Sequence, residues 1–165
     1  MNNYVCKIAN VEDVALKYDY EIEHAEDKDN WIVWKENAIN RVKNNDVIVY
    51  HGVLDGEIIC EATAALDSKS VQNSEELINK DTVYLFAFRT NPPYRGLGYF
   101  SKLFHYMIDD LKSKGYKYAT VGVEPKEKKN FEIYQKWGFT NFIKSSEEEY
   151  PNGEKVEVNY YAKEL

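Results

Sequence analysis

The succession of strand-like and helix-like patterns predicts a mixed α+β fold with a mostly antiparallel sheet. Three strand-like runs near the middle of the chain follow one another without a helix between them, as in an antiparallel meander. A strand–helix–strand–helix–strand–strand order comes next, and it requires one parallel crossover. The length of 165 residues and the hydrophobic share of 44% fit a single domain over residues 1–165.

The N-terminal part of the chain predicts one strand and two helices. Residues 4–9 form the strand-like run, and residues 11–20 fit a short helix. Residues 30–42 fit a second helix, because four apolar side chains recur there at helical spacing. These side chains are Trp31, Trp34, Ala38 and Val42.

The meander comprises residues 47–53, 58–66 and 82–90. Asp55-Gly56 is a typical hairpin turn between the first two strands, and the polar residues 67–81 form a loop before the third. The third strand is nearly all apolar, so we expect other parts of the chain to cover both of its faces.

The C-terminal part predicts two helices and three strands. The first helix runs from about Gly98 to Lys114, ends at Gly115 and has one apolar face. That face consists of Phe100, Leu103, Phe104, Met107 and Leu111. The other elements are a strand at 116–123, a helix at 126–137, and strands at 139–144 and 155–162. The short acidic run 147–149 is expected to mark a solvated turn.

The stretch NPPYRGLGYF, residues 91–100, connects the third meander strand to this helix. The first turn of a helix has unpaired N–H groups and a partial positive charge, and glycines let an anion approach them. Gly96 and Gly98 are suited to this role, and Arg95 adds a fixed charge. The sequence therefore predicts a phosphate or pyrophosphate site, with a plain turn before a helix as the alternative. The loop is neither a nucleotide P-loop nor the dinucleotide fingerprint.

About forty residues later the chain reads YQKWGF, residues 134–139. Together the two segments resemble the GNAT superfamily of acetyl-coenzyme A-dependent N-acetyltransferases. Arg95 and Gly98 match the first and fourth positions of the family's Arg/Gln-x-x-Gly-x-Gly/Ala loop. The second segment matches at Tyr134, Lys136, Gly138 and Phe139. The resemblance implies a three-layer fold in which about seven strands, with a central splay, are flanked by about four helices.

Two positions depart from the family pattern. The sixth loop position is Phe100 instead of glycine or alanine, so either its ring points away from the pyrophosphate or the helix is shifted. The family often has an asparagine seven residues before its tyrosine, where this chain has Glu127. Asn130, one helical turn later, is a candidate to replace it in binding the cofactor.

The resemblance also implies a donor site and a mechanism. Acetyl-CoA would be the acyl donor, with its pantetheine arm along the backbone of Phe88, Arg89 and Thr90. The residues expected to hold its pyrophosphate are Arg95, Gly96, Leu97, Gly98, Tyr99 and Phe100. Tyr134 would protonate the leaving thiolate after direct attack by the substrate amine. The alternative for Tyr134 is a packed helix tyrosine.

The general base is less defined, because the strand at 82–90 has no glutamate. Glu61 and Glu124 are the candidates to accept the amine proton or bind a cationic substrate. The alternative for each is an exposed glutamate without a special role. Cys60 is expected to be a buried small hydrophobe and not an acyl carrier.

The composition of the chain limits the classes of binding partner and cofactor that we expect. A net charge of -7 argues against nucleic acid and anionic membranes, and weakly favours a cationic amine, either a small molecule or a peptide or protein amine. Cysteines and histidines lack metal-ligand spacing, so we expect no metal. The absence of a signal-peptide pattern predicts a cytoplasmic protein with free thiols. Three alternatives remain: a CoA-binding sensor without turnover, an acyl donor other than acetyl-CoA, and a homodimer.

Overall fold

A computed structural model describes residues 3–165 and has one seven-stranded sheet with the order β1-β2-β3-β4-β5-β7-β6. Every neighbouring pair is antiparallel except β4 and β5, which are parallel. The α+β prediction is therefore confirmed. The strands are β1 (Tyr4–Ile8), β2 (Val47–Leu54), β3 (Glu57–Ala65), β4 (Thr82–Thr90), β5 (Tyr118–Val123), β6 (Asn141–Glu149) and β7 (Lys155–Glu164).

Four helices flank the sheet, and each lies close to its predicted position. They are α1 (Val11–His24), α2 (Lys28–Lys43), α3 (Tyr99–Ser113) and α4 (Lys128–Lys136). The helix predicted at 11–20 extends to His24, because Lys17 and Glu21 form an i,i+4 ion pair across the predicted end. No helix within residues 3–165 combines the length and apolar character that a membrane crossing requires.

The sheet separates two hydrophobic cores, which gives the three layers. One core contains Leu103, Phe104, Met107 and Leu111 of α3, and Tyr134 and Trp137 pack against it. The other contains Val14 and Tyr18 of α1, with Trp31 and Trp34 of α2 packed against it. The α3–α4 face and the α1–α2 face of the sheet are therefore distinct surfaces.

The acidic run 147–149 lies in β6 and not in a solvated turn, so that prediction was wrong. β6 continues to Glu149 because its residues pair with β7 along the whole hairpin, including Glu148 with Val156. The Tyr160 hydroxyl donates a hydrogen bond of 2.5 Å to the Glu148 carboxylate, which gives this acidic side chain a partner on the sheet.

β4 and β5 separate halfway along their length. They pair only from Thr82 to Leu85 of β4, so the rest of β4 has a free edge on that side. A β-bulge marks the separation: Thr63 pairs with Phe86 and Glu61 with Arg89, and two β4 residues oppose one on β3. Ala87, in the bulge, has φ of 57°. The predicted central splay is confirmed.

The bulge also reverses the alternation of side chains along β4. Phe86 packs with the α1–α2 core, whereas Phe88, two residues later, packs with the α3–α4 core. In a regular strand both rings would lie on the same face. As a result, Phe88 lies on one wall of the splay, and Arg89 faces α1 and α2.

Candidate active site

The loop before α3 has exposed backbone and the geometry of a helix start. Residues 95–98 are all exposed. Gly98 caps α3 with φ of 87° and ψ of 0°, a left-handed conformation that favours glycine. The first backbone bond into the helix runs from Lys102 N to Gly98 O at 3.3 Å. Within the described part of the chain, the amides of residues 99–101 have no acceptor. They form a donor set suited to an anion.

Hydrogen bonds to β3 and β4 hold this loop in place. The buried Asn91 donates from its backbone N to Ile59 O at 2.8 Å and from its side chain to Ile58 O at 3.2 Å. Arg95 Nε donates to Thr90 O at 2.9 Å, so its two terminal nitrogens point away from that bond. The Arg95 side chain is therefore held against the backbone at the end of β4.

A contact from β1, absent from the predictions, supports the start of α3. The Tyr4 hydroxyl donates to Tyr99 O at 2.8 Å, and the two ring centroids are 4.8 Å apart. The Tyr4 ring crosses β2 at Gly52, where a Cβ would lie 2.1 Å from the Tyr4 hydroxyl oxygen. The glycine between His51 and Val53, inside a strand of larger side chains, was the sequence signal for this close approach.

Aromatic rings line the splay on the α3–α4 face. The Phe100 ring stacks on Trp137 with centroids 5.8 Å apart and lies 5.3 Å from Phe88. The Phe100 ring thus packs against β4 and α4, and α3 starts at Tyr99. The backbone amides of residues 99–101 have no acceptor in the described chain with Phe100 in this position.

Tyr134 lies on α4 with its ring edge-on to Phe88 at 5.8 Å. Across residues 3–165 its hydroxyl has no hydrogen-bond partner. Burial, and then the nearby Glu127 carboxylate, raise the pKa of Tyr134 well above the ordinary tyrosine value. The hydroxyl therefore keeps its proton at neutral pH, as a proton donor must.

Glu61 is completely buried on the α1–α2 face and is not an exposed strand glutamate. Its carboxylate lies 2.8 Å from His51 Nε2 and accepts a bond of 2.5 Å from Arg89 Nη1. Burial alone would raise the pKa of Glu61, but the His51 hydrogen bond and the Arg89 charge outweigh it and lower the pKa. The Arg89 guanidinium in turn lies over the rings of Tyr18 and Trp31, at 4.8 and 4.7 Å.

Glu124 follows the end of β5, next to the splay, and is partly buried. Tyr150 Oη lies 3.4 Å from its carboxylate, and Lys126 Nζ lies 3.5 Å from it. Burial, and then the neighbouring Glu127 carboxylate, raise the pKa of Glu124. No contact joins Glu124 to Glu61 in the part of the chain that the structure describes.

Two other predicted positions have defined surroundings. Asn130 is exposed and donates from its side-chain nitrogen to Glu127 at 2.7 Å, which leaves its amide oxygen for a ligand. Cys60 is buried, and burial raises its pKa; its sulfur lies 3.5 Å from Thr90 Oγ1. Cys6 and Cys60 are both free, as predicted.

On the α1–α2 face, a cleft of about 750 Å³ opens beside the bulge of β4. Sequence reasoning missed it, because its walls come from five separate segments. They include Tyr18, Trp34, Arg41, Lys69, Tyr84, Phe86, Arg89, Glu148 and Tyr150. Among the described residues, no cluster of His, Cys, Asp or Glu side chains has the makings of a metal site.

The family model for the acetyltransferase (GNAT) family matches residues 8–139, a span that includes the loop before α3 and Tyr134. The chain belongs to this family. GNAT proteins use acetyl-CoA as acyl donor, which agrees with an anion site at the start of α3 and an open splay beside it. A search of curated protein sequences found no significant match.

Solved structures show the same GNAT fold at low sequence identity. A Desulfovibrio desulfuricans protein described as a GNAT-family acetyltransferase has TM-score 0.73 and 12% identity, covering 98% of this chain and 99% of that one. A Salmonella typhimurium protein with bound acetyl-CoA has TM-score 0.65 and 17% identity, covering 99% and 94%. The Escherichia coli ribosomal-protein-S18-alanine N-acetyltransferase has TM-score 0.66 and 15% identity, covering 100% and 94%.

Proposed function

We propose that the protein is an N-acetyltransferase that moves the acetyl group of acetyl-CoA to the primary amine of a small molecule or peptide. One observation supports this most directly. The splay of the sheet lies between an amide-rich loop and the unpartnered Tyr134 hydroxyl on the α3–α4 face, and a cleft opens on the α1–α2 face. A donor and an acceptor could therefore approach each other from opposite faces.

The donor would be held mainly by backbone groups. The amides of residues 96–101 and the Arg95 guanidinium would bind the pyrophosphate, because the helix start concentrates donors and positive potential. The free edge of β4 at residues 88–90 would pair with the amide groups of the pantetheine arm. The Arg89 side chain is paired with Glu61 on the opposite face, so its contribution to the donor site would come from its backbone.

The reaction is a direct acyl transfer. The neutral amine attacks the thioester carbonyl, a C–N bond forms, and the C–S bond breaks. The amine proton passes to a base, and Tyr134 gives its proton to the departing sulfur. An acyl-enzyme on Cys60 is disfavoured, because burial raises the pKa of that thiol and no histidine contacts it within residues 3–165.

The two candidate bases differ in a way that favours Glu124. Its raised pKa makes it a better proton acceptor near neutral pH than an ordinary carboxylate, and it is partly exposed. Glu61 is fully buried and committed to Arg89 and His51. Glu61 would then act as a positioning residue that fixes Arg89, and Glu124 would take the amine proton directly or through water.

A CoA-binding sensor without turnover is the second candidate, and one observation favours it. The rings of Phe88, Phe100 and Trp137 pack together beside the splay, where the family's loop pattern has a small residue at position 100. Such packing would leave CoA binding intact if the arm runs past the rings, and would hinder transfer if it does not.

Release of free CoA thiol from acetyl-CoA, measured with a panel of amines, distinguishes these functions. The panel would contain polyamines, amino acids and their carboxamides, and short peptides with a free N-terminus. Amine-dependent thiol release supports the transferase. CoA binding in a direct titration, with no thiol release for any amine, would favour the sensor. No binding of acetyl-CoA would contradict both.

A further inference from the structure

We infer that the cleft on the α1–α2 face binds an acceptor that carries a carboxylate in addition to its amine, and that Arg41 is the carboxylate's partner. The inference rests on the proposed function, since it concerns the acceptor of that reaction. The acceptor class is an amino acid or a similar small amino-carboxylate. Three observations support it. Arg41 has no ion-pair contact in the described chain, the acids near it are paired with other residues, and Glu148 and Glu149 line the same cleft.

Arg41 lies in the last turn of α2 and lines the cleft, half-buried. In the described chain its guanidinium forms neither an ion pair nor a hydrogen bond. Its neighbours in the adjoining small cavity include the apolar side chains of Val47, Val49 and Phe86. Burial lowers the pKa of Arg41, although a guanidinium stays charged in proteins. The group is therefore a partly desolvated cation that feels the charge of Asp46 but has no salt-bridge contact in the described chain.

The nearby acids have other partners. Asp46 lies 3.4 Å from Lys69, and Glu61 is bound by Arg89 and His51. A cation at a helix C-terminus interacts favourably with the helix dipole, but the exposed Lys43 in the same turn already supplies that charge. An unpaired guanidinium in a cleft wall costs free energy unless a ligand supplies the missing charge. Its planar fork fits a carboxylate with two parallel hydrogen bonds.

The cleft also presents carboxylates, which suit the amine of such an acceptor. Glu148 and Glu149 line it, and the Glu148 carboxylate accepts a hydrogen bond from the Tyr160 hydroxyl. A cleft with a free cation on α2 and carboxylates on β6 matches a molecule that carries both charges. A polyamine would place positive charge near Arg41 and be repelled, so the cleft selects against purely cationic amines.

The test compares each proteinogenic L-amino acid with its carboxamide, which lacks only the negative charge. Binding to the protein is measured by calorimetric titration, and acetyl transfer by release of CoA thiol. The parent protein should prefer at least one amino acid over its amide. Arg41→Gln should weaken the binding of that amino acid, raising its Kd and KM by roughly 10- to 100-fold, the range expected for a lost charge-assisted hydrogen bond. It should leave the amide and acetyl-CoA unaffected.

Lys43→Gln is the matched control, because it removes one positive charge from the same helix turn outside the cleft. It should leave the preference for the amino acid unchanged. Equal binding of acids and amides by the parent, or an unchanged preference in Arg41→Gln, overturns the inference while amine-dependent thiol release still stands. Preference lost in the titration after Arg41→Gln, with no thiol release for any amine, would support the binding site and contradict the transferase.

Discussion

The two faces of the sheet meet at the splay of β4 but are built in different ways. On the α3–α4 face, the proposed donor site consists of backbone amides of residues 96–101, aromatic rings and one hydroxyl. On the α1–α2 face, the cleft is lined by aromatic rings together with charged side chains, among them Arg41, Arg89 and Glu148. A single bulge at Ala87 separates the two sets, since it turns Phe88 to the face opposite Phe86 and thereby turns Arg89 to the α1–α2 face.

This difference explains why only one face could be interpreted from the sequence. A pyrophosphate is the same in every reaction that uses acetyl-CoA, and a short local segment can bind it through backbone groups and glycines. An acceptor varies from one enzyme to another, and side chains from separate segments recognise it. The proposed donor site can therefore be recognised from a local sequence motif, whereas the proposed acceptor site is assembled from distant segments and can be recognised only in the folded structure.

The largest expected effect concerns the hydroxyl on the donor face. Tyr134→Phe should lower kcat by roughly 10²–10⁴-fold, because the leaving thiolate loses its proton donor. Acetyl-CoA affinity should change little, since the ring and its contact with Phe88 remain. Steady-state kinetics and a direct titration measure the two quantities. Tyr116→Phe, a partly buried tyrosine outside the site, is the control. Normal turnover of Tyr134→Phe would assign it a packing role only.

The second effect tests whether the donor face binds through its backbone. Gly98→Val should weaken acetyl-CoA binding by roughly 10- to 100-fold, because it disturbs hydrogen bonds to a charged group. Valine is also strained at φ of 87°, so the fold itself needs a control. Gly56→Val provides it, with the same φ of 87° and equally open surroundings in the β2–β3 turn. If both variants bind acetyl-CoA alike, the loop assignment fails.

The smallest effect concerns pH and the acceptor face. Burial raises the pKa of Glu148, so the folded state takes up its proton more readily than the unfolded state. The stabilisation from this group is present at low pH and is lost as pH rises through the raised pKa. Glu148→Gln should therefore gain in Tm relative to the parent over that pH range and keep the gain at neutral pH.

Thermal unfolding at a series of pH values measures this difference. The exposed neighbour Glu149→Gln is the control and should follow the parent curve more closely. A Glu148→Gln variant whose Tm falls below the parent's at neutral pH would mean that the ionised carboxylate stabilises the fold, and the cleft wall would need a different electrostatic description.

Sequence patterns predicted the strands and helices well where one face of an element is apolar. The five apolar residues of α3 are an example, and four of them are buried in the structure. The acidic run in β6 was misassigned because its strand is defined by pairing with β7 and by the Tyr160 hydrogen bond, which no local pattern reveals. The extension of α1 depended similarly on an ion pair within the helix.

In the site, the amide loop and Tyr134 could be proposed from local motifs, whereas the surroundings of Glu61 could not. The strand pattern shows only on which face of β3 residue 61 lies. His51 and Arg89 contact it from the two neighbouring strands, and their pairing with it is known only from the fold. Arg41 gave no signal, because an arginine in the last turn of a helix is common. The inference about Arg41 comes from the folded structure, in which its guanidinium makes no ion pair or hydrogen bond within residues 3–165.

A crystal structure of the protein with bound CoA tests the division between the two faces most directly. The account predicts the pyrophosphate on the amides of residues 96–101, and the sulfur in the splay within hydrogen-bond distance of the Tyr134 hydroxyl. The cleft beside Arg41 should stay open for the acceptor. CoA bound in that cleft, or a sulfur out of reach of Tyr134 with the phosphates elsewhere, would contradict it.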